Sequence, residues 1–178
     1  VGETTGGGAH PGESFQINDT FKVWTPTGRA INPITKKNWE GKGVIPHIKT
    51  TEKNALISAQ LKALDSLNII NKDPFRKEYY KWHIETLKAI KTPVKVSLET
   101  LKEYVGTYGG INIFLENHTL YYQSGTDDKL KLTPITQFAF QYGDLTDVRM
   151  IFSIKNGETE LTTKNVYGRS DIYKKTKK

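Results

Sequence analysis

The chain has 178 residues, of which 36% are hydrophobic, 11% aromatic and 25% charged, which suits one ordinary folded domain or two small ones and excludes a disordered polymer. It holds no cysteine, so disulfides, thiol nucleophiles and cysteine–zinc sites are excluded, and no apolar run approaches the ~18 residues of a transmembrane helix. The net charge of +7 is spread out, with 8 basic against 6 acidic side chains over residues 1–68, 6 against 3 over 69–94 and 12 against 10 over 95–178, and this argues against a nucleic-acid partner.

Residues 1–50 are rich in Gly, Pro and Thr. Phe15-Gln16-Ile17 and Phe21-Lys22-Val23-Trp24 alternate apolar and polar as half-buried strands do. Val44-Ile45-Pro46 reads as a further strand closed by proline. From residue 51 the period lengthens. Leu56, Ala59, Ala63, Leu64 and Leu67 recur at helical spacing behind Thr51 as N-cap. Asp73-Pro74 opens a second helix, with Phe75, Tyr79, Trp82, Thr86, Ala89 and Ile90 on its apolar face. Thr92-Pro93 ends it, because the residue before proline is pushed out of the α region.

Residues 95–178 turn to period two. Ser97 is placed to cap a short helix through Tyr104. Seven runs follow, at 111–115, 120–122, 130–132, 138–140, 148–154, 160–163 and 171–174. Asn117-His118 and Asn156-Gly157 sit between paired runs as hairpin turns. The fold class predicted is α+β, with an antiparallel sheet or barrel-like domain at the end. A lysine cluster, Lys174, Lys175, Lys177 and Lys178, closes the chain, yet lysine outnumbers arginine 22 to 4, a poor match to base reading.

No self-contained active site is evident. The glycine run at residues 2–8 lacks the Gly-Lys-Ser/Thr ending of a phosphate loop. His10, His47, His83 and His118 include no pair three to five residues apart, so no metal site is predicted, and nothing calls for a cofactor. There is no Gly-x-Ser-x-Gly elbow.

One ordered series is more specific. It runs from Gly2-Glu3-Thr4-Thr5-Gly6-Gly7-Gly8-Ala9-His10, through Pro26-Thr27-Gly28-Arg29 and Asn32-Pro33-Ile34-Thr35, to Asn38-Trp39-Glu40-Gly41-Lys42-Gly43-Val44-Ile45-Pro46. It resembles the C-terminal part of the core domain of tail-specific (C-terminal-processing) serine peptidases, in the branch of the interphotoreceptor retinoid-binding protein repeats and the tricorn protease. His47 stands where that family usually has aspartate. The resemblance implies a nucleophilic serine and its base upstream of Val1. In the tricorn-like branch the glutamate matching Glu40 closes a Ser-His-Ser-Glu tetrad and orients the base; in a Ser-Lys branch it would be a structural carboxylate at a turn. Gly6, Gly7 and Gly8 either line the substrate cleft or form a tight loop. His10 reads as solvent-facing rather than as a base.

A second resemblance covers residues 101–140, which look like the small β domain appended to some bacterial serine hydrolases. Tyr104, Tyr108, Tyr121 and Tyr122 read as sheet core or as the lining of a groove. The organisation expected is thus residues 1–68 as the C-terminal portion of an α/β peptidase core, 69–94 as a helical connector and 95–178 as a β accessory domain. Val1 in place of an initiating methionine reads as a processed product or fragment. The function implied is serine-type peptide hydrolysis in the intact protein, periplasmic or extracellular, with peptide or protein substrates. This chain alone would be inactive, and its incomplete core edges would favour self-association. The rival reading is a non-enzymatic peptide-, glycan- or lipid-binding protein on a peptidase-like scaffold.

Overall fold

A computed structural model describes residues 1–176; Lys177 and Lys178 of the lysine cluster lie outside the described residues. The fold is α+β, as the change of period predicts, and the chain divides into two compact units, Val1–Ala59 and a second from Gln60 onward.

The first unit holds an antiparallel hairpin of β1 (Gly12–Gln16) and β2 (Lys22–Pro26), paired with Phe15 opposite Val23. Asn18 closes it, its side-chain oxygen accepting the Thr20 and Phe21 N–H groups at 2.9 Å. Residues 44–46 are not a strand. Within that segment Val44 bonds to Thr5, and the parallel bridge of Gly2 with Lys49 lies beyond it. Helix α1 (Glu52–Ile70) follows; no residue of it is fully buried, and of its predicted apolar stripe Ala59 and Leu64 are half-buried while Leu56, Ala63 and Leu67 are exposed.

The second unit contains α2 (Pro74–Lys91) and α3 (Leu98–Tyr104). Asp73 caps α2 by accepting the Phe75 N–H at 2.9 Å, and Ser97 caps α3 by accepting the Thr100 N–H at 3.2 Å. The predicted face of α2 is right at Trp82, Thr86 and Ala89, but Ile84 is buried too while Phe75 and Ile90 stay exposed.

Beyond α3 runs a meander: β3 (Gly106–Tyr108), β4 (Ile111–Glu116), β5 (Thr119–Ser124), β6 (Leu130–Pro134), β7 (Ala139–Tyr142), β8 (Val148–Lys155), β9 (Glu158–Asn165) and β10 (Ser170–Lys174). Each strand pairs with the next, and all pairs are antiparallel. The ends then meet. Tyr108 bridges Lys175, and the Thr176 N–H donates to Thr107 O at 2.8 Å, so the sheet is almost closed into a barrel. The closing strand β3 is the one the sequence pattern did not reveal, because three residues are too few to show a period.

The barrel interior is packed. Tyr108, Ile113, Leu120, Phe152 and Leu161 are fully buried and alternate along their strands with exposed or half-buried neighbours, while Phe140 is fully buried beside buried Ala139. Helix α3 plugs one end, where the Tyr104 ring stacks on Phe152 with centroids 4.3 Å apart. The Tyr108 hydroxyl donates to Tyr104 O at 2.9 Å, and burial pushes its phenol up to about 12. Tyr104 and Tyr108 are therefore core rather than groove.

Candidate functional site

In the first unit, residues 1–10 and 38–50 lie edge to edge. The Gly2 N–H donates to Ile48 O at 2.9 Å and Gly2 O accepts the Thr50 N–H at 3.0 Å. The Thr5 N–H donates to Val44 O at 3.2 Å, and the Thr5 hydroxyl accepts the Val44 N–H at 2.8 Å. Further along, the Gly41 N–H donates to Gly7 O at 2.9 Å and the Trp39 indole N–H donates to Gly8 O at 3.1 Å. Two stretches some forty residues apart in sequence thus form one ribbon.

Two glycines let the backbones approach. Gly7 has φ +82°, and a β-carbon on it would stand 2.7 Å from Gly43 N. Gly43 has φ +74°, and a β-carbon there would stand 1.9 Å from Thr5 O. Neither position admits another residue without moving its neighbour. Gly6 and Gly8 differ, since a β-carbon on either would meet open space. Of the three glycines singled out from the sequence, the middle one holds the ribbon together and the outer two leave room beside it.

Glu40 sits at the turn of this ribbon. Its Oε2 accepts the Ala9 N–H at 2.7 Å and stands 3.8 Å from His10 Nδ1. Asn38 completes the group: its Oδ1 accepts the Glu40 N–H at 3.3 Å, and its Nδ2 lies 3.5 Å from His10 Nε2. His10 therefore packs beside Glu40, one-third exposed, rather than pointing freely into solvent. A carboxylate with one oxygen anchored on backbone can fix the orientation and tautomer of an imidazole. At 3.8 Å the two side chains are neighbours without a hydrogen bond between them. The neighbourhood of Asn38 and His10 was missed from the sequence; the signal was the Asn-x-Glu spacing, in which Asn38 accepts from the backbone two residues on.

The second unit carries another polar cluster, unseen from the sequence except as an arginine inside the apolar run 148–154. Arg149 is buried. Its Nη2 donates to Trp82 O at 2.6 Å and to the Thr86 hydroxyl at 2.9 Å, its Nη1 binds Glu85, and its guanidinium lies 3.9 Å from the Trp82 ring centroid. Burial pulls this guanidinium below its usual value and Glu85 opposes the shift. The Trp82 indole N–H donates to Thr146 O at 2.8 Å, so α2 is fastened to β8 and the loop before it. This cluster is structural, with no group placed for chemistry.

Among the described residues no set of three or more His, Asp or Glu is grouped to hold a metal ion, and no helix is long and apolar enough to cross a membrane. No family model matches the chain, and no solved structure matches it significantly.

Proposed function

We propose that residues 1–68 are the C-terminal portion of the core of a tail-specific serine peptidase, that residues 69–94 connect it to a β accessory domain, and that the intact protein cleaves peptide or protein substrates in the periplasm or outside the cell. The nucleophilic serine and its base lie upstream of Val1 in this reading. The serine oxygen attacks the scissile carbonyl while the base takes its proton and returns it to the departing amine. Glu40 orients the base, and Gly6 and Gly8 line the cleft.

The observation that carries the reading is the ribbon itself. The two stretches on which the resemblance rests are brought edge to edge, with the Glu40 carboxylate anchored on Ala9 at 2.7 Å beside the glycine run. The exposed side chains of the first unit add support. Phe15, Phe21, Trp24, Ile31, Ile34 and Ile45 are all exposed, as expected of a piece whose core is supplied by more of the same domain.

The test is labelling of the full-length product of the reading frame with a fluorophosphonate probe. A labelled serine upstream of Val1, together with a Glu40→Gln variant whose turnover falls at least ~100-fold while its fold is kept, is the expected result, since an orienting acid of this kind is worth up to ~10⁴. An unlabelled full-length protein, or unchanged turnover in Glu40→Gln, removes the mechanism.

A further inference from the structure

We infer that the outer face of the barrel at Phe114 and Tyr121 is a binding site for a small soluble quaternary ammonium, a trimethylammonium that also carries an anionic group, whose place the ammonium of Lys129 occupies in the structure. The inference stands on the barrel alone and is independent of the peptidase reading.

The register of the sheet builds the site. Ile113 and Leu120 point into the barrel, so Phe114 and Tyr121, each one residue on, point out of it, and the two stand directly opposite across β4 and β5. Both are half-buried. Their ring planes are 18° apart and their centroids 5.9 Å apart. The Lys129 Nζ lies over both rings, 4.9 Å from the Tyr121 centroid and 5.8 Å from that of Phe114. Glu116 shares the outer face, two residues beyond Phe114, and its Oε2 accepts from the same Nζ at 2.5 Å.

Two ring faces and a carboxylate converging on one ammonium are the parts from which cation sites are made. The cation seated here is tethered but not enclosed, since the Lys129 and Glu116 side chains are 48% and 45% exposed. A primary ammonium is compact and strongly hydrated, so it gains little from ring faces while half in water. A trimethylammonium is larger and more weakly hydrated. It covers both rings at once and gives up less on leaving water, which lets it take the place of the lysine.

Two lysines then select the rest of the ligand. Displaced, Lys129 keeps its charge and loses Glu116. Lys131 stands beside Tyr121 in the register of β5 and β6, and it forms no ion pair among the described residues. An anion a few bonds from the trimethylammonium, such as the phosphate of phosphocholine or the carboxylate of a betaine, is complementary to both. The turns at the two ends of this face, Asn117-His118 and Gly125-Thr126-Asp127-Asp128, offer no apolar side chain to enter a bilayer, so the ligand is a free solute rather than a lipid headgroup.

The experiment follows the aromatic ring signals of Phe114 and Tyr121 by NMR while the full chain is titrated with tetramethylammonium, with phosphocholine, and with dimethylbutanol, the uncharged isostere of choline. Both charged ligands should shift both rings saturably, phosphocholine several-fold tighter, and dimethylbutanol should leave them in place. Lys129→Ala should tighten tetramethylammonium several-fold by removing the tethered competitor. Adding Glu116→Gln to Lys129→Ala should weaken it again, and Tyr121→Leu should remove the response of Phe114. No saturable shift in Lys129→Ala overturns the inference, as does an equal response to dimethylbutanol. Sedimentation with phosphatidylcholine vesicles without a response to phosphocholine would mean a membrane surface and equally overturns it.

Discussion

Trp24 and Phe152 are both aromatic residues on antiparallel strands, yet Trp24 is 56% exposed and Phe152 is 2% exposed. The contrast holds across the two units. In Val1–Ala59 the buried hydrophobic residue is Ala9, and the order of the unit comes from backbone hydrogen bonds, turns and two close-packed glycines. In the barrel the order comes from interdigitated side chains around Tyr108, Phe140 and Phe152. Both units have strands of similar alternation. What separates them is whether the sheet folds back on itself, so that one face of each strand meets another. A two-stranded hairpin cannot do this and needs a further layer; a meander of eight strands can.

Substitutions should expose the contrast, beginning with the cores. Phe140→Ala removes a ring that is fully buried, and should lower unfolding free energy by about 3–5 kcal/mol in urea denaturation. Trp24→Ala should change the same measurement by less than about 0.5 kcal/mol. Comparable losses would show that the hairpin is packed in solution and would break the comparison.

Next comes the polar fastening of α2. Arg149→Ala removes the guanidinium from Trp82 O and from the Thr86 hydroxyl, which keep only their mutual bond at 3.1 Å, and should cost about 3 kcal/mol. Glu85 is half exposed, and losing it should cost less than losing Arg149. A cost for Glu85→Ala equal to that of Arg149→Ala would mean that the ion pair, and not the guanidinium's buried hydrogen bonds, carries the fastening.

The glycines give a local test. Gly43→Ala drives a β-carbon into Thr5 O and should abolish protection of the Thr5 and Val44 amides from hydrogen exchange, while Gly6→Ala should leave them protected. Barrel amides such as that of Phe152 should be unaffected by either. Loss of protection in Gly6→Ala would remove the distinction drawn between the two glycines.

The smallest effect is one of pH. Burial, and then the nearby Arg149 charge, holds His83 below the usual imidazole value of 6.5. The unfolded chain therefore takes up a proton before the folded one as pH falls. This histidine's contribution is full above about pH 6.5 and declines below it until the folded form also protonates. The barrel's unfolding midpoint should be lower at pH 5 than at pH 7.5, and His83→Gln should reduce that difference. An undiminished difference in His83→Gln would assign the pH dependence to other groups.

Particular residues show how much was legible beforehand. Asp73-Pro74, Ser97 and Asn156-Gly157 mark their elements correctly, because a cap or a turn is decided by the chemistry of two to four neighbouring residues. Glu40 could be singled out by its place in an ordered series of short motifs. Its partners Ala9 and His10 could not, because they lie about thirty residues away and meet it only when Gly7 packs against Gly43. The apolar stripe of α1 was legible as a helix, yet nothing local said whether it would be covered.

The sequence by itself determined the α+β class, the position of each helix, seven of the barrel's strands and the absence of any cysteine chemistry. Tertiary structure decided the rest: closure of the sheet through β3, the burial of Arg149 beneath α2, the placing of Lys129 over Phe114 and Tyr121 and the company of Glu40. The division follows from range. Periodicity, caps and turns are set by backbone sterics and hydrogen bonds within a few residues, whereas closure, burial and the grouping of side chains depend on contacts between segments distant in the chain, which no local pattern encodes.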